Sequence, residues 1–119
     1  MAEPVVLDQT VIDTLRQLTP PGEPDVLAEV LRLFLEEAPP RITRLRNAWA
    51  AGNIEDVHRA AHSLKGSAGN IGARRLYEVC RRLDEQGRSD DQSGVGGLVD
   101  ELAVEFGKVE AAIHRLIGV

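Results

Sequence analysis

Apolar residues return at intervals of three and four from Leu7 to Leu116, and no stretch alternates as a half-buried strand would. A chain patterned this way folds into helices that are apolar on one face, and its glycines and prolines mark where each stops. Leu7, Val11, Leu15 and Leu18 predict a short first helix with Asp8 as its cap, closed by Thr19-Pro20-Pro21-Gly22. Pro24 suits the first turn of a second helix, whose stripe of Leu27, Leu31, Phe34 and Ala38 runs up to Pro39-Pro40. That proline pair is expected to break or kink the helix, since each ring removes an N–H and crowds the preceding turn. A third segment carries Ile42, Leu45 and Trp49 and ends at Gly52. Asn53 then caps a fourth, with Glu55 and Asp56 in its first turn. A fifth is expected from Ala73 to Gln86, before Gly87 and the polar loop Arg88 to Gly94. The last presents Leu98, Leu102, Phe106, Val109, Ile113 and Leu116 on one face.

One-sided helices joined by short connections cover one another most simply as an antiparallel bundle. The expected fold is all-α: an up-and-down four-helix bundle with the N-terminal helix, within residues 1–22, capping one end. The 119 residues make one domain, 1–119, large enough to hold a core without disulfide or metal staples. The single Cys80 offers no disulfide framework, which suits a reducing compartment. Met1 to Leu7 lack the basic and long apolar regions of a secretory signal, and no apolar run approaches membrane-spanning length. A cytoplasmic monomer without membrane contact is the expectation. With a net charge of -5 and no aromatic platform beside its arginines, the chain is not expected to bind nucleic acid.

The helix after Asn53 holds the sequence's chemistry. At about 100° per residue, Ile54, Val57, Ala61, Leu64 and Ala68 form its core stripe, and His62 points roughly 130° from the stripe's centre. His62 is therefore predicted to face solvent, with Lys65 one turn on and near the same side. Gly66 and Gly69 follow at i+4 and i+7. A glycine inside a helix costs about 1 kcal/mol relative to alanine, and two beside one exposed histidine call for a reason. Close approach of another protein's backbone supplies it.

His62, Lys65, Gly66 and the later Gly72 resemble the His-x-x-Lys-Gly signature of histidine phosphotransfer domains, the Hpt modules of two-component phosphorelays. The likeness extends over roughly residues 25 to 117. It takes in Phe34-Leu35-Glu36-Glu37-Ala38-Pro39 with Arg41, Leu45 and Ala48, and Gly72-Ala73-Arg74-Arg75-Leu76 with Leu83. The resemblance implies a four-helix bundle in which His62 accepts a phosphoryl group from a receiver phospho-aspartate, or from a kinase, and passes it to another receiver aspartate. An imidazole with its ordinary pKa of about 6.5 is largely neutral near pH 7 and keeps a lone pair for attack on phosphorus. Lys65 would steady the phosphoryl charge. Response-regulator receivers and a sensor or hybrid histidine kinase are the implied partners. The chain itself would need no cofactor, because the divalent metal would arrive with the receiver. Asp84 falls where a number of relatives carry a glutamine that orients the histidine, and Arg88 where some carry a second cation. Together with His58, Gly66 and Gly69 these are candidates for receiver docking or histidine orientation.

Other readings stand beside this one. A helical adaptor could bind a receiver without carrying phosphate, and His58 with His62, at i and i+4, could hold a metal if further ligands joined them. Acid-labile phosphate on His62 would exclude both. No P-loop, dinucleotide fingerprint, kinase glycine loop or nucleophile elbow is present, so intrinsic kinase activity is not expected. Cys80 and Trp49 read as packing residues and His114 as ordinary surface. Arg74, Arg75, Arg81, Arg82 and Arg88 form either a solvated face or a contact for an acidic receiver.

Overall fold

A computed structural model describes residues 6–118. Five helices follow in order: α1 (Gln9–Gln17), α2 (Val26–Ala50), α3 (Ile54–Asn70), α4 (Arg74–Gly87) and α5 (Val95–Ile117). The described residues contain no strand. The reading of Met1 to Leu7 as lacking a leader falls mainly on residues 1–5, which lie outside the described residues, as does Val119.

Short connections reverse the chain between α2 and α3 and between α3 and α4. Each of the two turns contains a glycine with positive φ, Gly52 at 75° and Gly72 at 74°. Helix α2 packs on α3, α3 on α4, α4 on α5, and α5 closes the ring against α2. At the centre lie Leu31, Leu45, Val57, Leu64, Leu76, Leu83, Leu102 and Ile113, all fully buried. Burial of each leucine stabilises the fold by roughly 1.5–3 kcal/mol. Helix α1 covers the end of the bundle where α3 turns into α4. The Asp8 N–H donates to the Gly72 carbonyl at 2.8 Å, and the Asp8 carboxylate caps α1 at Thr10 and pairs with Arg74.

The prolines behave differently from the sequence expectation, because α2 runs unbroken from Val26 to Ala50 with Pro39 and Pro40 inside it. Two missing N–H groups leave the Leu35 and Glu36 carbonyls without helical donors. Glu36 is exposed and Leu35 half-buried. The segment is held from both sides by one continuous buried stripe, Phe34, Ala38, Ile42 and Leu45. Arg41 adds an ion pair to Glu37 and a hydrogen bond to the Ser67 hydroxyl of α3. Tertiary packing overrides local propensity here. Pro24 sits just outside α2, whose cap is Asp25. The apolar face of α1 turns on Ile12, buried at 2%, and leaves Leu18 exposed; Leu116 is likewise exposed at the end of α5.

Candidate functional site

Asn53 starts α3 as expected, its side chain accepting from the Asp56 N–H, and this sets the phase of everything downstream. Val57, Ala60, Ala61, Leu64 and Ala68 are buried, so His62 is carried to the outer face with 63% of its side chain exposed. Lys65, one turn on, is more enclosed. A Cβ added at Gly66 would meet nothing within 4 Å, which leaves bare helix beside the histidine. At Gly69 an added Cβ would touch the Tyr77 ring at 3.5 Å, an ordinary packing distance. The site is thus open at Gly66 and lined by an aromatic ring near Gly69. Gly72 lies apart from this face, and its bare Cα admits α1: a Cβ there would stand 2.9 Å from that of Val11.

Helix α4 brings one carboxylate to this face. Asp84 is among the few charged residues buried in the bundle, with only 5% of its side chain exposed, and four groups converge on it. His62 Nδ1 stands 3.2 Å from Oδ2, and Lys65 Nζ donates to the same oxygen at 2.9 Å. His58 Nδ1 lies 2.5 Å from Oδ1 and 3.1 Å from the Asp84 backbone carbonyl. The Arg88 guanidinium reaches both oxygens at 3.3 Å. Burial alone would raise the Asp84 pKa, but the hydrogen bonds from Lys65 and His62 and the charges of Lys65 and Arg88 outweigh it and hold the group at about 2. The carboxylate is therefore ionised and accepts only. Each imidazole must then present a proton on Nδ1, so in the neutral form of His62 the lone pair sits on Nε2, the nitrogen that does not face Asp84.

A groove beside this cluster is lined by Lys65, Arg81, Asp84, Glu85, Arg88 and Ser89. Arg81 is tied to Glu78 and Glu85 on its own helix, Arg82 pairs with Glu78, and Arg74 with Asp8, so the arginines of α4 are largely committed. Arg75 is exposed. Cys80 is fully buried, and desolvation pushes its thiol up to about 12. Among the described residues no group of three or more His, Cys, Asp or Glu is disposed to hold a metal ion. No helix there is long and apolar enough to cross a membrane.

All the site candidates named from the sequence lie on α3 or at the end of α4, and His58, His62, Lys65, Asp84 and Arg88 form one cluster. One residue was missed. Gly87 presses against His58 so closely that an added Cβ would lie 2.6 Å from the His58 Cβ. In the sequence it reads only as a helix terminator.

The Hpt domain family model matches residues 29–118. Histidine-containing phosphotransfer protein 2 of Arabidopsis thaliana is 26% identical over 105 residues, 86% of this chain and 67% of that protein. Multistep phosphorelay regulator 1 of Schizosaccharomyces pombe is 26% identical over 96 residues, 81% of this chain and 32% of that larger protein. The crystal structure of histidine-containing phosphotransfer protein B from Pseudomonas aeruginosa superposes with a TM-score of 0.88 at 25% identity, covering 98% of this chain and 97% of that one.

Proposed function

Since the chain belongs to the Hpt domain family and its role is phosphotransfer in a phosphorelay, we propose that His62 is the residue that carries the phosphoryl group. The observation that carries this reading is the solvent-facing imidazole whose Nδ1 is turned onto the buried Asp84, beside the bare helix at Gly66. Nε2 of His62 attacks the phosphorus of an aspartyl phosphate, and the donor carboxylate leaves with the bonding electron pair. Transfer of this kind depends on positioning and charge neutralisation more than on covalent help from the carrier. Lys65 and Arg88 supply cations next to the ring. The open surface at Gly66 admits the active site of a response-regulator receiver, and a sensor or hybrid histidine kinase stands at the head of the relay. The divalent ion that such chemistry uses comes with the receiver, and the chain acts as a carrier with no kinase activity of its own.

A relay reconstituted with a panel of receivers tests this assignment. Wild-type protein should acquire acid-labile, base-stable phosphate, and His62→Gln should acquire none while keeping its helical circular dichroism. Transfer retained in His62→Gln would move the acceptor elsewhere.

A further inference from the structure

Two imidazoles meet one carboxylate, and only one of them is needed to carry phosphate. His58 and His62, one turn apart on α3, both turn Nδ1 to Asp84, and their ring centroids are 6.5 Å apart. We propose that His58 is a positioning residue for protons: below neutrality it takes up the first proton of the site, and its charge then keeps the neighbouring His62 ring neutral and able to attack. This deepens the assignment of His62 as phosphoryl acceptor and rests on it.

Proton counting shows why it matters which ring is charged. Nδ1 of each ring already donates its hydrogen to Asp84, so a further proton from solvent adds to the lone pair of Nε2. On His62 that lone pair is the nucleophile, and a proton there stops attack on phosphorus until it leaves again. On His58 the same proton occupies no reacting atom. Imidazoles are the side chains that change charge between pH 5 and 8, so the two rings compete within that range. Sites this close take up protons as a pair, and the ring charged first holds back the second.

The geometry favours His58. Its Nδ1 lies 2.5 Å from Oδ1 of Asp84 and 3.1 Å from the Asp84 backbone carbonyl, and hydrogen bonds to both acceptors strengthen when the ring is charged. Nδ1 of His62 lies farther off, 3.2 Å from Oδ2, and that oxygen already receives the Lys65 ammonium at 2.9 Å. A charged His62 would therefore stand beside a second cation on the same oxygen. His58 is the more enclosed ring, with 25% of its side chain exposed against 63% for His62, and the ionised Asp84 in contact with it offsets that cost. Gly87 presses on the root of the His58 side chain and keeps the ring seated. Beside the pair stand Arg81, Glu85 and Arg88 of α4. Arg81 is tied to Glu85, and Arg88 reaches both Asp84 oxygens at the longer distance of 3.3 Å. On α3 itself, Arg59 is paired with Glu55.

Nitrogen-15 spectra of the histidine rings in the intact, unphosphorylated chain, followed from pH 8 to pH 5, give the order of proton uptake. In the wild type, Nε2 of His58 should take its proton at a higher pH than Nε2 of His62. His58→Asn keeps an N–H donor where Nδ1 stood but cannot become charged, so His62 in that variant should take its proton at a higher pH than in the wild type. Phosphorylation by phosphoramidate should then run at equal rates in the two proteins at pH 8. At pH 5.5 it should be roughly threefold slower in His58→Asn, the effect of a unit charge 6.5 Å away in largely aqueous surroundings. Taking the ratio of variant to wild type at each pH cancels the titration of the donor itself. Proton uptake by His62 before His58 in the wild type would overturn the proposal, and that reading needs no variant to fold. A ratio that stays constant from pH 8 to pH 5.5 would do the same, because a merely structural brace slows the reaction equally at every pH. Failure of the wild type to take phosphate on His62 would instead overturn the acceptor assignment, while the order of proton uptake still judges His58.

Discussion

Gly87 of α4 and His58 of α3 approach so closely that a methyl group at Gly87 would lie 2.6 Å from the His58 Cβ and 3.2 Å from its Cα. The obstacle is the root of the side chain and the backbone itself, which cannot swing aside. In an open helix Gly→Ala gains about 1 kcal/mol. At this position overpacking of about 1–3 kcal/mol opposes it. Gly87→Ala is expected to lower the urea midpoint and to slow phosphorylation, because the end of α4 must shift relative to α3 and Asp84 with it. A midpoint equal to or above that of the wild type would show that the close approach is not required.

Gly66 gives the opposite expectation. Nothing lies within 4 Å of an added Cβ, so Gly66→Ala should stabilise the isolated protein by roughly 1 kcal/mol through helix propensity alone. The bulkier Gly66→Gln should leave stability near that of the wild type and weaken receiver binding through steric exclusion. Titration calorimetry with a cognate receiver would show it. Undiminished affinity would place the docking surface away from this face.

The contrast between these two glycines shows what sequence could and could not convey. Gly66 stands four residues from His62 on one helix, so its place beside the ring follows from helical period alone. Its open surroundings were readable because the core stripe of Val57, Ala61, Leu64 and Ala68 fixes which way the helix faces. Gly87 touches a different helix, and periodicity carries no information on how two helices are set against each other. The same limit applies to Asp84, 22 residues from His62 in the chain: its nearness to that ring was reachable only through family resemblance, and its contacts with His58 and Lys65 not at all. Pro39 and Pro40 mark the reverse error. Local chemistry called for a break, and a buried stripe spanning both sides of the pair kept α2 whole.

Cys80 should behave as a packing residue. With the thiol pushed up to about 12 by desolvation, almost no thiolate exists near neutrality to act as a nucleophile. A disulfide reagent at pH 8 should label the native protein slowly and the urea-unfolded protein at once. Rapid stoichiometric labelling of the native state would contradict its burial.

The carboxylate at the centre of the site also sets an acid limit on the fold. Asp84 is held at about 2, against an ordinary value of 3.8, chiefly because the bonds and charges of Lys65, His62 and Arg88 exceed the cost of burying it. Since its pKa is lower in the folded state than in the unfolded one, the unfolded chain binds more protons there, and stability rises with pH through this group. Its contribution is complete above about pH 4 and is lost as the pH falls toward 2, a change of about 2 kcal/mol. Other carboxylates titrate in the same window, so the quantity to read is the difference between wild type and Asp84→Asn. Urea unfolding at pH 5, 4, 3 and 2 should show the wild-type advantage shrinking step by step, because the asparagine cannot ionise. Parallel curves for the two proteins across that range would mean that Asp84 takes up its proton no more reluctantly in the fold than in the open chain, and that Lys65 and Arg88 do not hold its charge.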